Sequence, residues 1–344
     1  MLGGWYKMSY RLIQFKWHIL LVFVFLCLGN VIYRLTQPVT APVAEKAVIV
    51  VKTGMAANEI GELLYQQGMI KSVLAFHAVA KMQGLANSLQ AGEYVVNKNM
   101  TIQQIVAMLA KGETVYQQIT IPEGYTVDQI AKLIQEKQLG SAEKFKALAK
   151  NSNVSSYPYM MNYNANVVYK VEGYLFPNTY QISKGATEEQ LLNMMITQFD
   201  KEFSDQMRER ATAMGLSVKD VIILASLVEK EAQIESDRPV IAGVFLNRLK
   251  QEMPLQSCAT IQYILGYPKV ELSVEDTEIS SPYNTYQHMG LPPGPIANPG
   301  IAAINAVLYP KETSFIYFVA DKQGAHHFSK TYEEHLAAIE QVRK

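Results

Sequence analysis

Two glutamates, Glu229 and Glu231, stand near the end of the apolar run VKDVIILASLVEKEAQI at residues 218–234. Apolar residues occupy most of its circumference, leaving a narrow polar edge of Lys219, Ser226, Lys230 and Gln233, so the spacing predicts a largely buried helix. At roughly 100° per residue the two carboxylates point about 160° apart and cannot act as a paired acid and base on one substrate. Glu229 falls between Val218 and Ile222 on the wheel. A carboxyl among aliphatic groups is desolvated, which disfavours its charged form and raises its pKa. A carboxyl still protonated near neutral pH is what general acid catalysis requires. The alternative is structural: both glutamates form buried ion pairs with Arg238, Arg248 or Lys230.

The segments around this helix favour the chemical reading. EGYLFPNTY (172–180), IAGVFLNRL (241–249), PLQSCATIQY (254–263), SPYNTYQHMGLPPGPIANPG (281–300) and HHFSKTYEEH (326–335) are rich in Tyr, Asn, Gln, Pro and Gly and carry few charges. Aromatic faces with amide donors suit flat, neutral, hydroxyl-rich ligands such as sugars. The prolines and glycines at 290–300 suit a rigid loop walling a cleft.

These residues need a scaffold, and the chain is long enough for one. Its 344 residues, 49 % hydrophobic, carry 31 basic and 31 acidic side chains. That is enough to bury a core, argues against a nucleic-acid partner, and allows two domains at about 100–200 residues each. Cys27 and Cys258 are too far apart in character to pair, and no metal-ligand spacing surrounds them or the six histidines. Residues 17–34 begin with the uncharged apolar stretch WHILLVFVFLCLGNVIY, about 17 residues, the lower limit for a membrane-spanning helix. Lys7, Arg11 and Lys16 precede it, which places residues 1–16 in the cytoplasm and the remainder outside. A cleaved signal peptide is the alternative. Residues 35–47, with two prolines, read as a linker.

A faint repeat follows. VIVVKTGMAANEIGELLYQQGM from Val48 and ITIPEGYTVDQIAKLIQEKQL from Ile119 align at a shift of 70, so that Gly54 meets Gly124 and Ile60 meets Ile130. Each reads as strand, glycine turn and amphipathic helix, with a second helix at 72–83 or 141–150. A returning strand at Gly92–Val96 completes a βααβ unit resembling a LysM module, which grips N-acetylglucosamine polymers. A plain α+β packing unit fits equally. Helices are predicted at 187–214, 217–234, 238–251 and 330–342, with a strand at 314–320. The fold class expected is α+β: an anchor, a LysM-like subdomain over 48–120 and a mixed catalytic domain over 121–344.

ASLVEKEA, followed by FLNRL, LQSxxT, SPYNTY and GLPPGPIANPG and preceded by EGYLFPNTY, resembles the YceG-like family, the MltG-type endolytic murein transglycosylases. The resemblance runs in order through essentially the whole exported chain. It implies cleavage of the β-1,4 bond after N-acetylmuramic acid within peptidoglycan glycan strands, leaving a 1,6-anhydro end. It places the catalytic glutamate at Glu229 and family blocks on Glu172, Tyr180, Asn247, Gln256, Tyr283, Asn284 and Tyr286, the candidate substrate-binding set. Many relatives carry Asp-Pro where this chain has Cys258-Ala259. Such chemistry needs one carboxyl, no metal and no cofactor. The resemblance also points to peptidoglycan synthases (penicillin-binding proteins) as partners. Glu172 reads either as a second functional carboxyl or as an ion-pair partner of Arg248. The rival functions are a non-catalytic wall-binding scaffold and a muramidase pairing Glu229 with Glu172.

Overall fold

The computed structural model describes residues 24–27, 29–39, 46–113, 116–151, 157–160, 165–183, 186–269 and 271–343. Within them the chain is a mixed α+β protein that divides into two compact units, one running through Gln117 and including Ser183, the other taking Gln118–Ile182 and the described residues from Ala186 on. Residues 24–27 and 29–36 are helical. The rest of the apolar stretch that precedes them, and the basic residues before it, lie outside the described residues. Among the described residues no single helix is long and apolar enough to cross a membrane.

The first unit is built on a two-stranded antiparallel ladder, β1 (Lys46–Val51) and β2 (Gly92–Asn97), with Ile49 opposite Tyr94 and Val51 opposite Gly92. Period-two alternation turns Ile49, Val51, Tyr94 and Val96 inward. Helices α1 (Ala57–Gln66) and α2 (Val73–Met82) lie between the strands in sequence and bury Ile60, Leu64 and Phe76. A third helix that the sequence reading passed over, α3 (Ile102–Lys111), follows. Its signals are local. Thr101 and Gln104 form a capping box, and Gly112 ends the helix at φ 68°.

The second unit starts with the other copy of the repeat. β3 (Tyr116–Thr120) pairs with β4 (Thr179–Ser183), and α4 (Val127–Glu136) and α5 (Ala142–Asn151) follow β3. Gly54 and Gly124 both take positive φ, 86° and 72°, as the shared turn demands. The single helix expected at 187–214 is two, α6 (Glu188–Glu202) and α7 (Asp205–Ala213). Phe203 leaves helical geometry at ψ 82°, and the Ser204 hydroxyl accepts from Met207 N to start the next helix.

The centre of this unit is α8 (Val218–Glu231), whose residues Val221–Val228 are all buried. It packs against α9 (Arg238–Lys250), α10 (Cys258–Leu265) and α12 (Ile301–Leu308), the short α11 (Val274–Thr277) intervening in sequence. The chain closes with the hairpin β5 (Tyr317–Ala320) and β6 (His326–Ser329) and helix α13 (Tyr332–Arg343). The strand expected from residue 314 begins at Tyr317. Thr313 and Phe315 instead offer their carbonyls to Asn247.

The segment EGYLFPN wedges between α8 and the loop at 290–300. Gly173 sits at φ 86°, where an added Cβ would lie 2.5 Å from Pro295 Cγ and 2.7 Å from Ile222 Cγ2. Left-handed strain and overpacking then act together. Gly173→Ala is expected to destabilise the chain by about 2–5 kcal/mol, read as a lowered urea midpoint. An unchanged midpoint would mean that the wedge is not tight.

Candidate active site

Glu229 occupies the last turn of α8, where the helix emerges from the core. Its side chain is 7 % exposed, yet its neighbours are polar. Oε1 accepts from Arg238 Nη2 at 3.3 Å, and Oε2 accepts from the backbone N–H of Gly300 at 3.1 Å. Gly124 packs against its Cγ. The aliphatic pocket expected from Val218 and Ile222 belongs to earlier turns. At residue 229 the surroundings come from three other segments. The ion pair with Arg238, the alternative read from sequence, is the one that forms. Lys230 turns instead to the Gly124 carbonyl at 3.4 Å.

Each of those segments is fixed. Gly300 caps the N-terminus of α12, which packs along α8. Arg238 begins α9 with Pro239 in its first turn. The preceding residue, Asp237, accepts from both His326 N and His326 Nδ1 at 3.0 Å, tying this corner to β6. The third segment is the IPEGYT turn between β3 and α4. It carries Glu123, a residue the sequence reading did not single out. The Glu123 carboxylate lies so close over Gly300 that a Cβ there would come within 2.0 Å of its Oε1. Burial raises its pKa, the charge of Glu229 raises it further, and Arg238 opposes both.

Glu231 belongs to a different cluster. Its Oε1 accepts from Ser257 Oγ at 2.5 Å and from Ala259 N at 3.4 Å, at the start of α10. Burial raises its pKa, and the Ser257 and Ala259 bonds oppose that rise. Neighbouring Cys258 has its sulfur 3.1 Å from the Tyr286 hydroxyl, and burial raises that thiol.

Asn298 joins the pieces. Its Oδ1 accepts from Leu175 N at 2.8 Å, and its Nδ2 donates to Tyr125 O at 2.8 Å and to Glu172 Oε1 at 3.1 Å. Its backbone N donates to Tyr125 O, and its carbonyl accepts from Gly124 N. Five bonds thus lock the IPEGY turn and EGYLFPN to the loop ending at Gly300. Glu172 is 1 % exposed and also accepts from Val127 N at 3.0 Å, at the head of α4, and from Tyr263 OH at 3.2 Å. The pairing with Arg248 allowed by the sequence does not occur. Arg248 donates to the carbonyls of Ile316, Pro254 and Leu255 and to Gln256 Oε1.

The remaining candidates are dispersed. Tyr180 OH donates to the Phe176 carbonyl, and the Asn247 amide to the carbonyls of Thr313 and Phe315. Buried Asn284 donates to the carbonyls of Thr277 and Ile279 and accepts from Tyr286 N. Tyr283 packs its ring 5.0 Å from that of Tyr263. Gln256 is exposed at φ 49°, and Tyr286 is half-buried. An open pocket of about 400 Å³ lies elsewhere in this unit, lined by Asn166, Ser280, Ser281, Pro282, His288, Leu291 and Pro293. It shares no lining residue with the Glu229 cluster.

Residues 49–341 match the YceG-like family. The chain is 36 % identical over 318 residues to the endolytic murein transglycosylase of Bacillus subtilis (strain 168), covering 89 % of this chain and 87 % of that one. It is 35 % identical to the endolytic murein transglycosylase of Streptococcus pneumoniae (strain D39), covering 87 % of this chain and 58 % of that longer protein. The crystal structure of a putative yceG-like protein from Listeria monocytogenes superposes with a TM-score of 0.61 at 33 % identity, covering 86 % of this chain and all of that one.

Burial lifts the Glu172 carboxyl from 4.5 to about 8 despite its three donors. The folded chain therefore holds an extra proton between those values, and its stability falls as pH rises from about 5 toward 8. Glu172→Gln is expected to flatten that decline in urea midpoints. Parallel curves for the two proteins would show that Glu172 folds ionised.

Proposed function

The chain belongs to the YceG-like family, and from that premise we propose that it is a membrane-anchored endolytic lytic transglycosylase of peptidoglycan. The bond cut is the β-1,4 link between N-acetylmuramic acid and N-acetylglucosamine inside a nascent strand, and cleavage ends that strand's elongation. The product carries a 1,6-anhydro-N-acetylmuramic end. The observation that carries this reading is the position of Glu229. It is held by Arg238 and Gly300 N–H at the end of a buried helix, beside the turn that presents Glu123.

In the simplest scheme one carboxyl serves twice. Glu229 protonates the leaving oxygen, then takes the proton of the sugar's own 6-hydroxyl as that oxygen attacks the anomeric carbon. Tethering replaces a diffusing nucleophile and supplies much of the effective molarity. Arg238 would stabilise the carboxylate left after the first transfer. Exposed Gln256 and half-buried Tyr286 would contact the glycan. Glu172, Tyr180, Asn247 and Asn284 would act by shaping the walls, since their polar groups bond to the protein's own backbone and side chains, and Tyr283 would do so through its ring against Tyr263. The apolar N-terminal stretch would anchor the chain in the cell membrane with its N-terminus in the cytoplasm. The β1–α1–α2–β2 unit would serve as a LysM-like contact to glycan, and membrane-bound peptidoglycan synthases would be the protein partners.

The reading is tested with full-length protein in detergent micelles and long uncrosslinked glycan strands, the ends being identified by mass spectrometry. Internal fragments with anhydro ends are expected, falling at least about 100-fold in Glu229→Gln. Reducing ends would make the enzyme a hydrolase. Unchanged strands with binding intact would make it a scaffold.

A further inference from the structure

The apolar N-terminal stretch and the body of the first unit meet at one place. The helix over residues 29–36 ends at Thr36, whose hydroxyl donates to the Tyr33 carbonyl at 2.9 Å. Residues 31–34 are exposed, whereas Thr36 is buried and Leu35 and residues 37–39 are half-buried. The Lys71 ammonium donates to the Arg34 carbonyl at 3.5 Å. Arg34 is the first formal charge after the apolar run, where a charged side chain reaches the membrane interface. Lys71 stands two residues before α2, whose first turn is capped by the Ser72 hydroxyl accepting from Ala75 N. The end of the anchor and the head of α2 are therefore side by side.

Helix α2 keeps one face open along its whole length. Phe76, Val79 and Ala80 are buried in the unit, while Leu74 and Met82 are 80 % and 87 % exposed. At roughly 100° per residue Leu74, Ala78 and Met82 form one stripe about 80° wide, with His77 and Lys81 along its edge. All five are exposed. The two large aliphatic side chains gain no packing within the unit. Lys71 and Lys81 bracket the stripe, and no acidic residue occurs between Glu62 and Glu93. Aliphatic groups beside lysines, without carboxylates, suit a helix lying on an anionic bilayer, its apolar face in the acyl boundary and its ammonium groups at the phosphates.

We propose that the outward face of α2 lies on the anionic lipid surface of the membrane, as a second contact beside the N-terminal anchor. The proposal rests on the reading of residues 17–34 as that anchor. The dimensions agree. A ten-residue helix is about 15 Å long, so Met82 lies at most about 12 Å beyond Leu74. An interfacial helix sinks its apolar face about 5–10 Å into the headgroup boundary. So short a helix binds lipid weakly alone, but the anchor makes the contact intramolecular and raises its effective concentration. The consequence is orientation. A domain on one transmembrane helix can swing about its tether, and the α2 contact holds the first unit against the bilayer.

The test uses full-length protein in nanodiscs of phosphatidylglycerol and phosphatidylethanolamine, carrying one nitrobenzoxadiazole label at a time. The label is placed on Cys27 in a Cys258→Ser protein, and on Leu74→Cys or Met82→Cys in a protein with both native cysteines changed to serine. Brominated lipid quenches a label in the bilayer, and aqueous iodide quenches one in water. With an apolar face sunk about 5–10 Å, labels at residues 74 and 82 are expected to lose at least about half as much emission to brominated lipid as the label on Cys27. They should also be shielded from iodide. Exchanging the lipids for phosphatidylcholine should weaken both effects at residues 74 and 82 and leave Cys27 unchanged. Quenching of Cys27 by lipid with residues 74 and 82 open to iodide overturns the proposal and leaves the face to a protein partner. Lipid quenching at residue 74 without residue 82 also overturns it, because the helix then rises out of the bilayer. A Cys27 label open to iodide sinks the anchor itself, and the proposal with it.

Discussion

The candidate site depends on Asn298. A buried amide must satisfy one acceptor and two donor hydrogens, and unpaired buried polar groups cost about 1–3 kcal/mol each. Asn298 meets that demand with groups from three segments distant in sequence, Tyr125, Glu172 and Leu175, while its own peptide unit bonds to Gly124 and Tyr125. These bonds hold the turn, the wedge and the loop to one another. Two residues later Gly300 delivers its N–H to Glu229. The position of the Glu229 carboxylate is therefore tied to a residue that does not contact it.

Helix α8 supplies the second constraint. Its eight consecutive buried residues fix both its rotation and its depth, so its final turn can emerge into polar surroundings without the helix shifting. Glu229 and Glu231 leave that turn on different sides. One meets Arg238 and the loop, and the other meets Ser257 and the start of α10. Two carboxylates two residues apart thus acquire unlike environments. Glu231 ties α8 to α10, while Glu229 borders the exposed Glu123.

Much of this was legible in the sequence. Periodicity gave α8 and its buried character, the separation of its glutamates, and the paired strand–turn–helix units with their positive-φ glycines. Motif order gave the family. The setting of Glu229 was not legible, because helical-wheel neighbours describe the helix's own surface, and at a helix end the contacts come from elsewhere. Asn247 and Asn284 read as ligand-binding groups because amides serve loops and sugars alike, and Tyr180 joined them through the family resemblance. Only coordinates show their hydrogen bonds going to backbone carbonyls. Glu123 was passed over because IPEGYT reads so readily as a turn before a helix. Its misfit with Thr53 in the repeat was the available signal.

The central claim is that glycan is cut at the corner formed by Glu229, Arg238 and Gly300. Its most direct test is a structure of full-length Glu229→Gln protein with an uncut N-acetylglucosamine–N-acetylmuramic acid oligomer bound. The account expects the sugar 6-hydroxyl within about 2.6–3.2 Å of the residue 229 side chain, the distance for a productive proton transfer, with the muramic ring over Gly300. An oligomer seated only in the pocket between Ser280 and Pro293, with residue 229 still bonded to Arg238, would contradict it.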